Sequence, residues 1–160
     1  MKHPSYEAEC DVCRANAGEE PSPGGVIFAN DLWFVRHTPP PAPLAGWMML
    51  HPQRHVQGPA HFTDEEAANF GLVLRHFTRI LEQVTGALRI YVVAFGESVP
   101  HMHAHLAPRY AQMPNDAVAW SLSDTFRQVA AGEMAGADLA EVDSVIDKYR
   151  EALEVNPPPR

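Results

Sequence analysis

Short apolar runs of strand length alternate along this chain with turn-forming clusters, and two longer stretches repeat their apolar residues at helical spacing. Val26-Ile27-Phe28-Ala29 and Leu32-Trp33-Phe34-Val35-Arg36 are strand-like and joined through Asn30-Asp31, which predicts a hairpin. The segment before them, Glu19 to Gly25, is rich in Pro and Gly and reads as a loop. Four prolines between Thr38 and Pro43 rule out a helix or a central strand there. That segment delivers the chain in extended form to a third strand, Gly46 to Leu50.

Thr63 followed by Glu66 is a capping-box signature. Phe70, Val73, Phe77, Ile80, Leu81 and Val84 then recur at the spacing of one helix face, up to a stop near Gly86. Leu88 to Phe95 is a fourth strand, and a fifth covers about His103 to Pro108. From Ser121 to Glu154, helical spacing at Leu139, Val142, Ile146, Tyr149 and Leu153 is broken near Gly132 and Gly136, which predicts two helices before a proline-rich tail. Strands clustered around one intervening helix favour an antiparallel sheet with helices on one face, an α+β class.

The fifth strand carries the most informative residues. His101, His103 and His105 alternate with Met102, Ala104 and Leu106, and side chains at i, i+2 and i+4 of an extended backbone line one face. An imidazole is a metal ligand, nucleophile or proton donor near neutral pH, so three together mark a site rather than a satisfied cluster on a sheet edge. A regular strand would aim all three at one place, but Pro100 restricts its own φ and constrains Val99, so the backbone has reason to turn there. Cys10-Asp11-Val12-Cys13 is weaker evidence: a redox pair, half a metal knuckle and coincidence are comparable readings. The residues after it, Ala15 to Pro21, do not read as the helix a thioredoxin-like motif requires.

The pattern His101-Met102-His103-Ala104-His105-Leu106-Ala107, preceded by Gly96-Glu97-Ser98-Val99 and followed by Pro108-Arg109, resembles the signature of the histidine triad (HIT) superfamily of nucleotide hydrolases and transferases. Gly46 to Val56, containing Pro52-Gln53-Arg54-His55, is similar to that family's strand ending in Pro-Lys-Arg-His-Val. The resemblance spans about residues 8 to 110 and implies a HIT-like domain over residues 1–160 with a C-terminal helical extension at about 121–155. It implies a sheet of about five strands with one long helix packed on it, and a homodimer.

In zinc-containing branches the resemblance implies a closed structural Zn²⁺ site made here by Cys10, Cys13, His55 and His101. It implies that His103 is the nucleophile toward the α-phosphorus of a nucleotide and that a carbonyl holds its other ring nitrogen. His105 then holds a phosphate oxygen and Ser98 bonds a phosphate oxygen or the leaving group, with Gly96, Glu97 and Val99 beside the substrate. The alternatives are a nucleotide-binding dimer with little turnover, and an open zinc centre held by all three triad histidines. Three departures bear on substrate: Glu97 replaces a common Gln, Trp47 replaces a histidine near the phosphate, and His37 lies near the place of a ribose-binding acid. His105 stands where the uridylyltransferase branch carries Gln, which favours hydrolysis over transfer. Ile27, Phe28 and Leu32 read equally as core or as a slot for the base.

Composition narrows the partners. With 160 residues, 46% of them hydrophobic, the chain suits one domain able to bury about two-thirds of its unfolded surface without staples. A net charge of −8 supplies no basic stripe for a nucleic-acid duplex, whereas a small phosphorylated ligand needs only local positive potential. No stretch approaches the ~18 to 20 apolar residues of a membrane span, and the N-terminus lacks an apolar signal core; the expectation is a cytoplasmic protein without membrane partners. The remaining histidines are read as structural: His3 and His61 exposed, His76 beside its helix's apolar face, His51 ending a strand.

Overall fold

A computed structural model describes residues 2–116 and 118–159. Five strands form one sheet: β1 (Phe28–Ala29), β2 (Trp33–His37), β3 (Met48–Pro52), β4 (Arg89–Val93) and β5 (Ala104–Arg109), in the order β1-β2-β3-β5-β4 with every pair antiparallel. The hairpin forms where the turn residues place it, because the Asn30 side chain accepts the backbone N–H of both Leu32 (3.0 Å) and Trp33 (2.7 Å). Such a local bond mimics a backbone turn. Strand β3 begins two residues later than the apolar run suggested and continues through His51 and Pro52, since β2 is long enough to pair Trp33 with Pro52.

Helix α2 (Asp64–Thr85) starts at the capping box: Glu66 N–H donates to the Thr63 hydroxyl and Thr63 N–H to the Glu66 carboxylate. It ends at Gly86, whose φ of 65° is the left-handed closure that a glycine adopts without strain. Its apolar stripe, Val73, Phe77, Ile80 and Leu81, packs on Met48, Leu50, Ala104 and Leu106 of the sheet. Helix α4 (Leu139–Val155), capped by Asp138, buries Val142, Ile146, Tyr149 and Leu153 in the same core. The Tyr149 hydroxyl donates to the Phe77 carbonyl at 3.0 Å, which satisfies the one polar atom that this aromatic brings inside.

Two elements depart from the expectation of helices on a single face. Helix α3 (Leu122–Ala130) lies over the opposite face, where Leu122 and Phe126 pack with Trp47, Tyr91 and Ala107. Period-2 alternation gives this sheet apolar side chains on both faces, and the second face also needs cover. The cysteine pair, in turn, sits on a short helix: α1 (Asp11–Asn16) starts at Cys10, which caps it, and contains Cys13. No helix among the described residues is long and apolar enough to cross a membrane.

The capping box is the clearest local determinant of α2. Thr63→Ala is expected to cost about 1 kcal/mol, a fall in Tm of about 3 °C for a chain of this length, read by thermal denaturation followed by circular dichroism.

Candidate functional site

Strand β5 begins only at Ala104, and the turn before it separates the three histidines. Met102 N–H donates to the Val56 carbonyl at 2.7 Å, pinning the segment against the end of β3, and His101 is completely buried. His103 and His105 instead line a cavity of about 890 Å³ on the sheet face opposite α2, with ring centroids 5.2 Å apart. The rings therefore do not converge on a common centre: the open tri-histidine metal site is not what this backbone builds.

Hydrogen bonds set the two cavity imidazoles in opposite tautomers. The Nδ1–H of His103 donates to the His101 carbonyl at 2.7 Å, because a carbonyl can only accept, and in the neutral ring this puts the lone pair on Nε2. The Nδ1 of His105 accepts the indole N–H of Trp47 at 3.0 Å, because an indole can only donate, and its Nε2 therefore carries the proton. Burial, with like charge from His103 and Arg36 behind it, pushes His105 down to about 4, so the ring is neutral at physiological pH. Trp47 is itself held between β5 and α3: its ring meets Phe126 at 5.5 Å, and Phe126 meets His105 at 6.0 Å.

A second cluster lies on the other side of His101. The Nδ1 of His101 is 3.5 Å from both the Cys10 and Cys13 sulfurs, and the Nδ1 of His55 is 3.4 Å from the Cys13 sulfur. One donor atom from each of these four residues lies within 4.8 Å of the others. A tetrahedral Zn²⁺ with ordinary Zn–S and Zn–N bonds separates its sulfur and nitrogen ligands by about 3.5 Å, so the donor set already has the spacing of a metal's coordination sphere.

The protonation states fit as well. His101 Nε2–H donates to the Pro52 carbonyl at 3.0 Å, directing the Nδ1 lone pair at the cluster, and burial lowers this imidazole to about 4. Burial likewise pushes the Cys13 thiol up to about 11, so a cation is what would make it a thiolate. His55 lies three residues beyond the end of β3, in the turn that faces α1.

Gly96, Glu97, Ser98 and Val99 line the same cavity as His103 and His105. Gly96 has a φ of 71°, which a side chain would strain. Glu97 and Ser98 are exposed at the rim, whereas Val99 packs against Cys10, Val12 and Cys13 and ties the rim to the thiol cluster. His37 does not line the cavity: it is fully buried, donates from Nδ1 to the Thr38 carbonyl and accepts the Gly46 N–H at Nε2. The alternation of β2 turns its neighbours Arg36 and Thr38 to the cavity instead. Ile27, Phe28 and Leu32 belong to the core beneath the sheet, which removes them as a base slot. His3 is half-buried and bonded to Ser5 rather than exposed.

Sequence reasoning passed over Arg36, Thr38, Val12 and Phe126, all of which line the cavity. The signal for the first two is register: Arg36 pairs with Met49 and Met49 with His105, which places the three in one row across the sheet. His51, read as a strand-end residue, is fully buried against Phe34 at 5.0 Å with neither ring nitrogen partnered, and burial holds it well below the usual imidazole range.

The folded protein holds His105 below the ordinary value of 6.5, so protonation opposes folding. This contribution to stability is complete above the unfolded pKa and is lost as pH falls from about 6.5 toward 4. A ¹⁵N-detected titration is expected to show His105 as the neutral Nε2–H tautomer down to about pH 5, and Trp47→Phe is expected to give mixed tautomers. A midpoint near 6.5, or an unchanged tautomer in the variant, would contradict the geometry.

No protein-family model matches the chain, and no curated protein sequence does either. Solved structures do match. A HIT-like protein from Bartonella henselae, described as involved in cell-cycle regulation, shares 16% identity over 92% of this chain and 98% of its own, with a TM-score of 0.67. A Zn-bound histidine triad family protein from Mycobacterium smegmatis shares 16% identity over 92% and 94%, with a TM-score of 0.65. A hypothetical histidine triad nucleotide-binding protein from Sulfolobus tokodaii shares 12% identity over 91% and 93%, with a TM-score of 0.67. These superpositions show that the chain has the α+β fold of the histidine triad proteins.

Proposed function

We propose that this protein is a histidine triad enzyme, a nucleotide hydrolase or nucleotidyl transferase that cleaves at the α-phosphate of a nucleoside phosphoramidate, a dinucleoside polyphosphate or a related nucleotide. The observation that carries this reading is the pair of imidazoles in one cavity whose Nδ1 atoms are held in opposite roles, His103 donating to a carbonyl and His105 accepting from an indole N–H. The Nε2 lone pair of His103 attacks the α-phosphorus, forming a P–N bond as the bond to the leaving group breaks. Water then displaces the imidazole and releases the nucleoside monophosphate. Splitting one displacement into two lowers each barrier.

His105 donates its Nε2–H to a non-bridging oxygen and stabilises the charge that develops there. Ser98, on the rim loop, reaches a phosphate oxygen or the leaving group, and Gly96, Glu97 and Val99 frame that end. Cys10, Cys13, His55 and His101 hold a structural Zn²⁺, whose contribution is to fix α1 and the Val99 loop rather than to join the chemistry. The HIT-like domain comprises the whole chain, with α3 and α4 as its C-terminal extension. A homodimer would cover the exposed Leu88, Val92 and Phe95 on and beside edge strand β4. A cytoplasmic location suits two cysteines kept as thiols.

Intact-mass analysis of protein quenched with adenosine 5′-phosphoramidate is expected to show a nucleotide-sized increment absent from His103→Ala, whose turnover should fall about a thousandfold or more. Full turnover in that variant would refute the mechanism. Nucleotide binding with no adduct in the parent would make the protein a binding dimer instead. Metal analysis is expected to find one zinc per chain. Cys10→Ser with Cys13→Ser should abolish it and lower Tm by about 5 °C or more, and an unchanged metal content would refute the assigned ligands.

A further inference from the structure

The cavity extends well past the two histidines, and its far end is built around a buried cation. Arg36 is only 5% exposed and faces the cavity from β2. Its Nη1 donates to the Ser22 hydroxyl at 3.1 Å, but its buried Nε has no partner, and no carboxylate pairs with it among the described residues. The neighbouring carboxylates are already committed: Arg14 holds Asp11 at 2.6 Å and Glu20 at 2.7 Å. Two residues on, and on the same face, Thr38 is 2% exposed and its hydroxyl is also without a partner. Buried charges and hydroxyls are seldom left so, and two adjacent ones opening on one cavity are groups awaiting a ligand.

The chemistry of the pair says what ligand. A guanidinium has donors only; the hydroxyl oxygen of an unmodified sugar can accept from it but brings no charge to offset the buried cation. An anion fills the unused donors and offsets the charge as well, and arginine is the side chain whose planar fork fits a phosphate. Geometry fixes the separation. Arg36, Met49 and His105 are paired in one row across three strands spaced about 4.8 Å apart, so the Cα atoms of Arg36 and His105 are about 10 Å apart. The Gly96–Val99 rim follows β4, on the other side of β5 from β2. With the scissile phosphorus at His103 and the leaving group toward Ser98, the nucleoside arm runs over Met49 toward Arg36.

We propose that Arg36, assisted by Thr38, binds a second phosphate carried on the sugar, so that the preferred substrates are nucleoside 5′-phosphate derivatives that also bear a 2′- or 3′-phosphate. This rests on the nucleotide reading of His103 and His105 and adds the substrate class to it. The two hydroxyls offer the same chemistry, and the test separates them.

The experiment is calorimetric titration of the parent protein with AMP, GMP, adenosine 2′,5′-bisphosphate and adenosine 3′,5′-bisphosphate, repeated on Arg36→Met and Thr38→Val. One bisphosphate is expected to bind at least tenfold more tightly than AMP. That ratio should fall to about one in Arg36→Met and shrink severalfold in Thr38→Val. Methionine replaces a buried charge that has no direct ion pair and only the fields of Asp11 and Glu20 to offset it by an apolar chain of similar reach, so this variant should melt no lower than the parent; should it fail to fold, the parent's ratio and Thr38→Val still decide. Bisphosphates no tighter than AMP, a preference for GMP alone, or a ratio preserved in Arg36→Met overturns the assignment while leaving the triad chemistry standing. Absence of binding by all four nucleotides would refute both together.

Discussion

The buried imidazole of His101 is the interaction on which the rest of the site depends. It sits where β5 has not yet begun, and burial requires both of its nitrogens to be satisfied. Nε2–H meets that demand at the Pro52 carbonyl and Nδ1 at the two thiols. Those contacts fix the peptide as well as the ring, and the peptide carbonyl is what holds the Nδ1–H of His103. One residue thus joins the end of β3, helix α1 and the orientation of the neighbouring imidazole. The same helix supplies a cavity wall through Val12, and Val99 leans on it from the rim. A structural cluster in this position is part of the cavity's frame even though it faces away from the cavity.

Burial also explains how a chain with a net charge of −8 can place a guanidinium and two imidazoles around one cavity. The acidic residues that set the net charge are largely exposed, where solvent and salt screen them. Inside, His101 and His105 are held neutral by desolvation, so one of them can coordinate and the other can donate without bringing charge indoors. The buried cation of the cavity wall is Arg36, beside the more exposed Arg14 and Arg127, and burial destabilises its charge without neutralising it. Potential at such a site is local, and the overall charge says more about duplex binding than about a small anion.

Much of the architecture was legible because its determinants lie within a few residues of each other. The Asn30 turn, the Thr63–Glu66 box and the Gly86 stop each involve neighbours in the chain, and each forms as the residues indicate. The split of the C-terminal region into α3 and α4 follows Gly132 and Gly136 in the same way. Helix α1 was missed because it is only 6 residues long and is held by burial of Val12, Cys13 and Ala15 rather than by propensity. Helix α3 was read, but its face was not, since nothing in its own periodicity distinguishes one side of a sheet from the other.

The residues alone determined an α+β chain with its strands, its long capped helix, and a histidine strand beside a cysteine pair. Only the tertiary structure decided which way each side chain looks. A slip of one position on β2 exchanges His37 for Arg36 at the cavity, and pairing with β3 makes that choice: His37 was the sequence's candidate, and Arg36 with Thr38 is what the cavity received. Ile27, Phe28 and Leu32 went to the core for the same reason. The parting of His101 from His103 likewise depends on where β5 starts, and that is set by the Met102–Val56 bond and by burial against β3. Local chemistry is written in adjacent residues, whereas facing depends on contacts between strands far apart in the chain, and a single sequence does not record those.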